Sequence, residues 1–567
     1  MSTTYAYERM KYGFFVHYIA SYANYQDFSK AQSIDEAADG FDVAGFADDL
    51  ALMHVEYVIF TAWHALAQPL YPSAVTEKWR PGNSARRDLI GEIIDAVNAK
   101  GIRVILYTHP RDGHDFNTLD RERTGWGQGY DNRVPFNSTD TPDFAFFDYQ
   151  KWNQYTLELY KELVFRYGDR IEGLWFDGMG PGRFMYFATG AQPYEYPIVD
   201  YLAIRKAVKE VNPKLAMIQN MNGNMFNCDF AMPEGYYGVE FSIPVSQWPA
   251  CEKALAICPF KGWVPSGPKG SGPSNSLKLE DVIQFTVFEA TCASGGGVSW
   301  AAGPYCGGGW EDGVVDFMHA VGQFVANLGE ALHDVVPSTS WPTISGDTMA
   351  SKGFLAACTA RIRDFEYVHI LRMPEDGVIL LAPPEDGARL SHPCVIGSKA
   401  HITEYSQTQE GIRLRITGEI NPLDTAVRFD RRDNAAAIKY IWINDTDKRI
   451  GFGGIWEYNC LCARKLEYAG YYEYDERVTE DNGAWAQIAF DGDSVTIFGP
   501  IGPELGQAVV LIDGMKAGEI NAFAPVHTPR QALFSSGELF GGVHTVRLIK
   551  TGGSKLSLDA LRISIQS

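Results

Sequence analysis

The sequence predicts an α/β protein, a (β/α)8-type TIM barrel followed by two β-sandwich units, and three observations lead there. Between residues 12 and 304 short apolar runs alternate with amphipathic helical patterns, the mark of parallel strands joined by crossover helices. Past residue 332 the helical period stops, and two-residue alternation broken by Pro and Gly turns takes over. One early apolar run, Gly173-Leu174-Trp175-Phe176, ends in Asp177-Gly178, which puts a lone carboxylate at a strand's carboxyl end. Pockets of such barrels open at that edge, so Asp177 reads as a reacting group, with an Asp-Gly turn as the plain alternative.

The elements follow in order. Residues 12–19 form the first strand, and a helix over 41–53 leads to the second at 57–64. A helix over 84–100, stopped by Gly101, precedes the strand 103–110. The apolar spacing of 148–167 is helical, Gly168 breaks it, and 171–177 is the fourth strand. Residues 198–211, closed by Asn212-Pro213, precede the strand 215–221. The run 237–243 is the sixth strand, and 261–264 and 297–302 are the last two, around a Gly/Pro/Ser loop at 265–276 that reads as mobile or as a pocket cover. A helix over 317–332 ends the barrel unit, 1–335. A β-sandwich occupies 336–447, with strands such as 366–373 and 377–381, and a jelly-roll-like unit runs from 448 to 567.

Composition narrows the chemistry. A chain of 567 residues exceeds what one core organises. Aromatic residues reach 13%, with 13 Trp and 29 Tyr, and flat rings suit stacking on sugar faces. A net charge of -21 repels phosphate backbones and anionic lipid, so nucleic acid and membrane surfaces are excluded as partners and a neutral substrate fits best. The nine cysteines show no Cys-x-x-Cys ladder, so no metal or other cofactor is expected; they read as reduced core residues, with a Cys251–Cys258 disulfide left open. The first residues lack a basic start and apolar core, so the chain is read as cytoplasmic or as exported with its leader removed. Nothing in the sequence separates a monomer from a homo-oligomer.

Several strand ends together resemble the family 29 alpha-L-fucosidases, over roughly residues 8 to 445. Arg9-Met10-Lys11-Tyr12-Gly13-Phe14-Phe15-Val16-His17-Tyr18 looks like that family's opening strand, whose His-Trp pair contacts the sugar, with Tyr18 in place of Trp. The run from Tyr57 to Trp63-His64-Ala65-Leu66, followed by Leu70-Tyr71-Pro72-Ser73, is similar to the family's Thr-x-Lys-His-His-Asp-Gly-Phe segment. Leu174-Trp175-Phe176-Asp177-Gly178 matches its nucleophile motif, and 295–304 and 322–332 look like its closing strand and helix. Residues after Gly451 resemble jelly-roll modules attached to polysaccharide-degrading enzymes, through Tyr468-Ala469-Gly470, Phe498-Gly499-Pro500 and Ile512-Asp513-Gly514.

The resemblance implies retaining hydrolysis of a terminal sugar, which needs two carboxyl groups about 5 Å apart, one attacking the anomeric carbon and one protonating the leaving oxygen. Asp177 is the implied nucleophile. Glu240, in Gly238-Val239-Glu240-Phe241-Ser242, looks like the family's acid/base, and Glu234, after Met232-Pro233, is the second choice. His17, Tyr18, Trp63, His64, His109 and Trp175 stand at strand ends as sugar-binding candidates, by hydrogen bonds or apolar walls. Where the family has a second His and then Asp, this chain has Ala65 and Leu66. A sugar hydroxyl left unpaired there costs roughly 1–3 kcal/mol, so the expected glycone is a relative of L-fucose. Two other readings stay open: a catalytically inactive carbohydrate-binding barrel, and a metal hydrolase built on His17, His64, His109 and Asp177.

Overall fold

The computed structural model describes residues 5–19, 32–64, 67–110, 116–126, 148–177, 199–220, 228–232, 234–236, 255–258, 263–265, 269–270, 277–291, 297–341, 355–432, 438–460, 475–537, 539 and 542–566. Nine parallel strands make the first sheet: β1 (Tyr12–Val16), β2 (Tyr57–Thr61), β3 (Arg103–Thr108), β4 (Gly173–Phe176), β5 (Ala216–Gln219), β6 (Phe230–Ala231), β7 (Glu234–Tyr236), β8 (Leu255–Cys258) and β9 (Val298–Ala301). Their order is β6-β5-β4-β3-β2-β1-β9-β8-β7. The two ends of that order, β6 and β7, are separated in the chain only by Met232 and Pro233. The sheet therefore closes on itself through one interrupted strand, and eight strands complete the barrel.

This closure corrects two strand positions. The sixth strand is the split segment β6–β7, ahead of the expected 237–243, which lies outside the described residues. The seventh is β8, whereas residues 263–265, at the end of the expected 261–264, form a bend. Both segments are short and apolar, and local pattern does not tell a barrel strand from a neighbouring loop of like composition.

Helices cover the barrel: α1 (Ile34–Asp39), α2 (Val43–Leu52), α3 (Ala74–Trp79), α4 (Leu89–Ala99), α5 (Thr118–Thr124), α6 (Tyr149–Tyr167), α7 (Tyr201–Val211), α8 (Leu279–Thr291) and α9 (Val314–Leu328). The first seven start on side-chain caps: Ser33, Asp42, Ser73, Asp88, Asn117, Asp148 and Asp200 each accept an N–H from the following turn. Each such cap contributes about 1 kcal/mol. Strand residues β1 to β5 are buried almost throughout, as a sheet covered by helices on one face and filled by side chains on the other requires. Two glycines mark close approaches: a Cβ on Gly13 would overlap the Tyr57 ring inside the barrel, and one on Gly322 of α9 would overlap the Met53 carbonyl after α2. Among the described residues no helix is long and apolar enough to cross a membrane.

Beyond α9 the chain is β-rich. A five-stranded and a three-stranded sheet take residues 335 to 432, around a core that includes Val368, Leu414 and Phe429. One face of the larger sheet joins the barrel core through Cys358, Tyr367, Leu371 and Ala426. Three more sheets follow with their own core, including Ile488, Val495, Val510 and Leu548. The strand Ile438–Asn444 pairs along its whole length with the last strand, Ala560–Gln566. The sequence assigns it to the middle unit; its hydrogen bonds put it with the last one. Both units alternate every second residue, so only the distant pairing partner distinguishes them.

Candidate active site

The site is assembled from the carboxyl ends of β1 to β5. Successive residues on a strand face opposite sides, so Phe15 and His17, Tyr107 and His109, and Trp175 and Asp177 project inward from β1, β3 and β4. Trp175 stacks on Tyr107 with centroids 5.2 Å apart, Tyr107 stacks on His64 at 5.4 Å, and Phe15 meets Trp175 edge-on at 4.9 Å. This aromatic column holds the Tyr107 phenol in one position. Its O–H donates to Asp177 Oδ2 at 2.5 Å, while Asn220, just after β5, donates Nδ2–H to Oδ1 at 2.8 Å.

Residues behind the strand ends lock this arrangement. The Thr61 hydroxyl donates to the Val16 carbonyl and accepts the Tyr18 N–H, bracketing His17 between two bonds of 2.9 and 3.1 Å. Thr108 knits β3 to β4: its carbonyl accepts the Asp177 N–H at 2.9 Å, its hydroxyl donates to the Trp175 carbonyl, and Tyr160 of α6 donates to that hydroxyl. The carboxylate is thus held through its own backbone and through both oxygens.

Burial pushes the Asp177 carboxyl toward higher pKa, but His109 and His64 beside it and the bonds from Tyr107 and Asn220 outweigh that, leaving it at about 2. It is an anion throughout the neutral range. His17 shows the reverse: burial, with His64 nearby, lowers its imidazole to about 3 against the pull of Asp177. It is neutral, 7% exposed, and its Nε2 meets no partner among the described residues. The rings of His17 and His64 lie 5.5 Å apart, as do those of His64 and His109. Among the described residues no three His, Cys, Asp or Glu side chains stand together so that they could hold a metal ion.

Of the residues singled out in the sequence, Asp177, His17, His64, His109 and Trp175 come together. Tyr18 does not join them. Its ring packs against Phe41 at 4.8 Å and its O–H donates to the Ala37 carbonyl of α1, because it follows His17 and strand alternation turns it outward. Trp63 also turns away, packing edge-on against Tyr160 of α6; its indole N–H donates to the His109 carbonyl at 3.3 Å, so it supports the site from behind. Glu234 opens β7, and its side chain, like Glu240, Ala65 and Leu66, lies outside the described residues. Three residues at the site were passed over in the sequence: Tyr107, Asn220 and Trp263, whose ring stands 5.3 Å from His17 and 5.5 Å from Phe15. Tyr107 shares a strand face with His109, and Asn220 ends β5 as Asp177 ends β4, so both carried a positional signal. Trp263 sits in a bend and carried none.

The alpha-L-fucosidase family model matches residues 2–330. The alpha-L-fucosidase of Bacteroides thetaiotaomicron, solved as a covalent intermediate trapped with 2-fluoro-fucosyl fluoride, is similar over 75% of this chain and 94% of that one, with a TM-score of 0.54 and 16% identity. Alpha-L-fucosidase isoenzyme 1 of Paenibacillus thiaminolyticus covers 75% of this chain and 98% of its own, at a TM-score of 0.53 and 16% identity. The alpha-L-fucosidase of Vibrio sp. strain EJY3 is similar over 98% of this chain and 97% of its own, with a TM-score of 0.54 and 13% identity, so the likeness in fold extends through the β-rich parts. Among curated proteins, the A type blood N-acetyl-alpha-D-galactosamine deacetylase of Flavonifractor plautii is 30% identical over 110 residues, 19% of this chain and 13% of that relative's length.

Proposed function

The chain belongs to the alpha-L-fucosidase family of glycoside hydrolases, and on that premise we propose that it is a retaining exo-glycosidase acting on a terminal alpha-L-fucose or a closely related sugar. The observation that carries this reading is the Asp177 carboxylate: ionised, donated to on both oxygens, and set at the end of β4 among three histidines. Asp177 attacks the anomeric carbon, and the aglycone oxygen leaves with a proton from a second carboxyl group. The resulting glycosyl ester removes the negative charge, and the second group then takes a proton from the water that cleaves the ester. Glu240 is the first choice for that second group and Glu234 the second.

Neutral His17, whose Nε2 meets no partner among the described residues, gives or accepts a hydrogen bond with a sugar hydroxyl, and His64 and His109 border the same space. Trp175 and Trp263 supply apolar walls. Ala65 and Leu66 withdraw two polar contacts that the family pattern has, which favours a glycone related to L-fucose over fucose itself. The catalytic unit is read as residues 1–335, and the pairing of Ile438–Asn444 with the last strand supports starting the final β unit near residue 438, not 448. Incubation with 2-fluoro glycosyl fluorides of L-fucose and L-galactose, followed by peptide mass analysis, tests the reading. A mass increment on the peptide containing Asp177 is expected, larger in rate for the non-fucose donor. A label on another carboxylate would sink the assignment, and a strong preference for the fucosyl donor would sink the choice of sugar.

A further inference from the structure

We propose that Arg80 is a positioning residue for the candidate active site: its guanidinium holds the turn that carries His64, and so sets where the imidazole stands beside Asp177. This rests on reading Asp177 as the nucleophile. After β2 the chain turns at His64, and the Ala67 N–H closes the turn by donating to the His64 carbonyl at 2.7 Å. Ala67 is buried with φ at 43°, in the left-handed region that an L side chain rarely adopts. Ala65 and Leu66, between the two, have no side-chain donor or acceptor to steady the turn. The hold comes from outside. Arg80, just past α3, donates Nη1–H to the Ala67 carbonyl at 2.8 Å.

The guanidinium is itself fixed by an anion, an amide and a ring. Its Nε–H donates to Asp120 of α5 at 3.3 Å, its Nη2–H donates to Asn83 Oδ1 at 3.3 Å, and its central carbon lies 3.5 Å from the centre of the Phe116 ring. Asn117 donates to the same Asp120 oxygen at 3.1 Å, and Gln68, next to Ala67, donates to Asn83 Oδ1 at 3.1 Å. Both charged side chains are buried. Desolvation offsets much of the attraction in such a pair, so its effect here is geometric: it ties the end of α3, α5 and the turn after β2 into one network. A lysine in its place has one compact ammonium and does not reach Asp120, Asn83 and Ala67 together. The consequence reaches the carboxylate through the His64 ring, which stacks on Tyr107 with 5° between the planes, while Tyr107 donates to Asp177. Burial raises the Asp177 carboxyl, and His109 and His64 pull it down. A displaced His64 withdraws part of that pull.

The test uses the full-length chain with its Arg80→Lys and Asn83→Ala variants, the second milder because Asn83 is half-buried and only steadies the guanidinium. Carbon-13-labelled histidine gives His64 its own NMR signal, assigned with His64→Gln and independent of any sugar. That signal is expected to shift or broaden in both variants, while the signal of His544 in the last β unit stays. In parallel, labelling of the Asp177 peptide by the 2-fluoro glycosyl fluorides is expected to slow at least about tenfold in Arg80→Lys. Its acid limb should move to higher pH, with smaller changes of the same sign in Asn83→Ala. A His64 signal or an acid limb that stays in place in the folded variants overturns the proposal, and Asn83→Ala decides if Arg80→Lys does not fold. A wild-type chain that takes no label at Asp177, while His64 still moves with Arg80, overturns the nucleophile reading and supports the placement of His64.

Discussion

Two buried histidine–aspartate neighbourhoods in this molecule reach opposite charge states from the same starting burial. At the barrel mouth, Asp177 is held by a phenol and an amide, and the His17 imidazole is pushed down to about 3. At the seam between the barrel and the first sandwich, His369 lies against Asp424, Nδ1 to Oδ2 at 2.6 Å, with both side chains fully buried and Nε2 at 3.1 Å from the Ala331 carbonyl after α9. Burial alone would lower His369, but Asp424 overrides it and holds the imidazole up to about 10. The seam spends its carboxylate on an imidazolium and fixes two units together. The mouth holds its carboxylate beside His109 and His64 and under the phenol of Tyr107 and the amide of Asn220, so the charge stays available to an incoming electrophilic carbon.

That contrast is broken most severely by removing each aspartate in turn. Asp177→Ala is expected to lower kcat by at least about 10⁴-fold, the scale for loss of a nucleophile, with little change in urea midpoint; wild-type-like turnover would put the chemistry elsewhere. Asp424→Ala strands a buried imidazolium, and denaturant melts should show a loss of roughly 3–5 kcal/mol, while the folded fraction keeps its kcat.

The next test removes the neutral donors. Tyr107→Phe or Asn220→Ala deletes one bond to the carboxylate, worth roughly 1–3 kcal/mol, and kcat should fall about tenfold to a hundredfold. Because each donor lowers the Asp177 pKa, its loss raises that pKa, and the acid limb of kcat/KM moves to higher pH. An acid limb that stays in place would mean that the donors do not set the charge.

The smallest effect is in stability against pH, and the two histidines give opposite slopes. An unfolded imidazole titrates near 6.5, and His17 in the fold only near 3, so the unfolded chain binds the extra proton and stability falls as pH drops through that window. His17→Gln should flatten the loss. His369 takes its proton more readily when folded, so its contribution is present below 6.5 and disappears as pH rises toward 10. Asp424→Asn should remove that alkaline decline. Melting temperatures at half-unit pH steps measure both slopes, and parallel slopes in wild type and variants would void the comparison.

Much of the barrel was legible because its signals are local. Helix α6 is bounded by Asp148 and Gly168, α7 by Asp200 and Asn212, and β4 by Gly173 and Asp177, all readable as caps, breaks and apolar runs. The helices α1, α3, α5 and α8 went unread, the first three because six or seven residues hold too few turns to show a period, the last because it is buried along most of its length and shows no polar face. Tyr18 and Trp63 were misplaced for a different reason. A strand-end aromatic satisfies the pattern of a sugar wall and of a helix-facing core residue equally, and its direction depends on where the strand stops alternating.

The sequence by itself determined the first five barrel strands and the longer helices between them, the period change near residue 332 and the carboxylate at the end of β4, because each rests on neighbours a few positions apart. The tertiary structure alone decided that the two ends of the barrel sheet are the neighbouring strands β6 and β7, that Ile438–Asn444 joins the chain's last strand, and that Tyr107 and Asn220 hold Asp177. Those pairings join residues from 12 to more than a hundred positions apart, and the sequence carries no local trace of them until the strands are laid side by side.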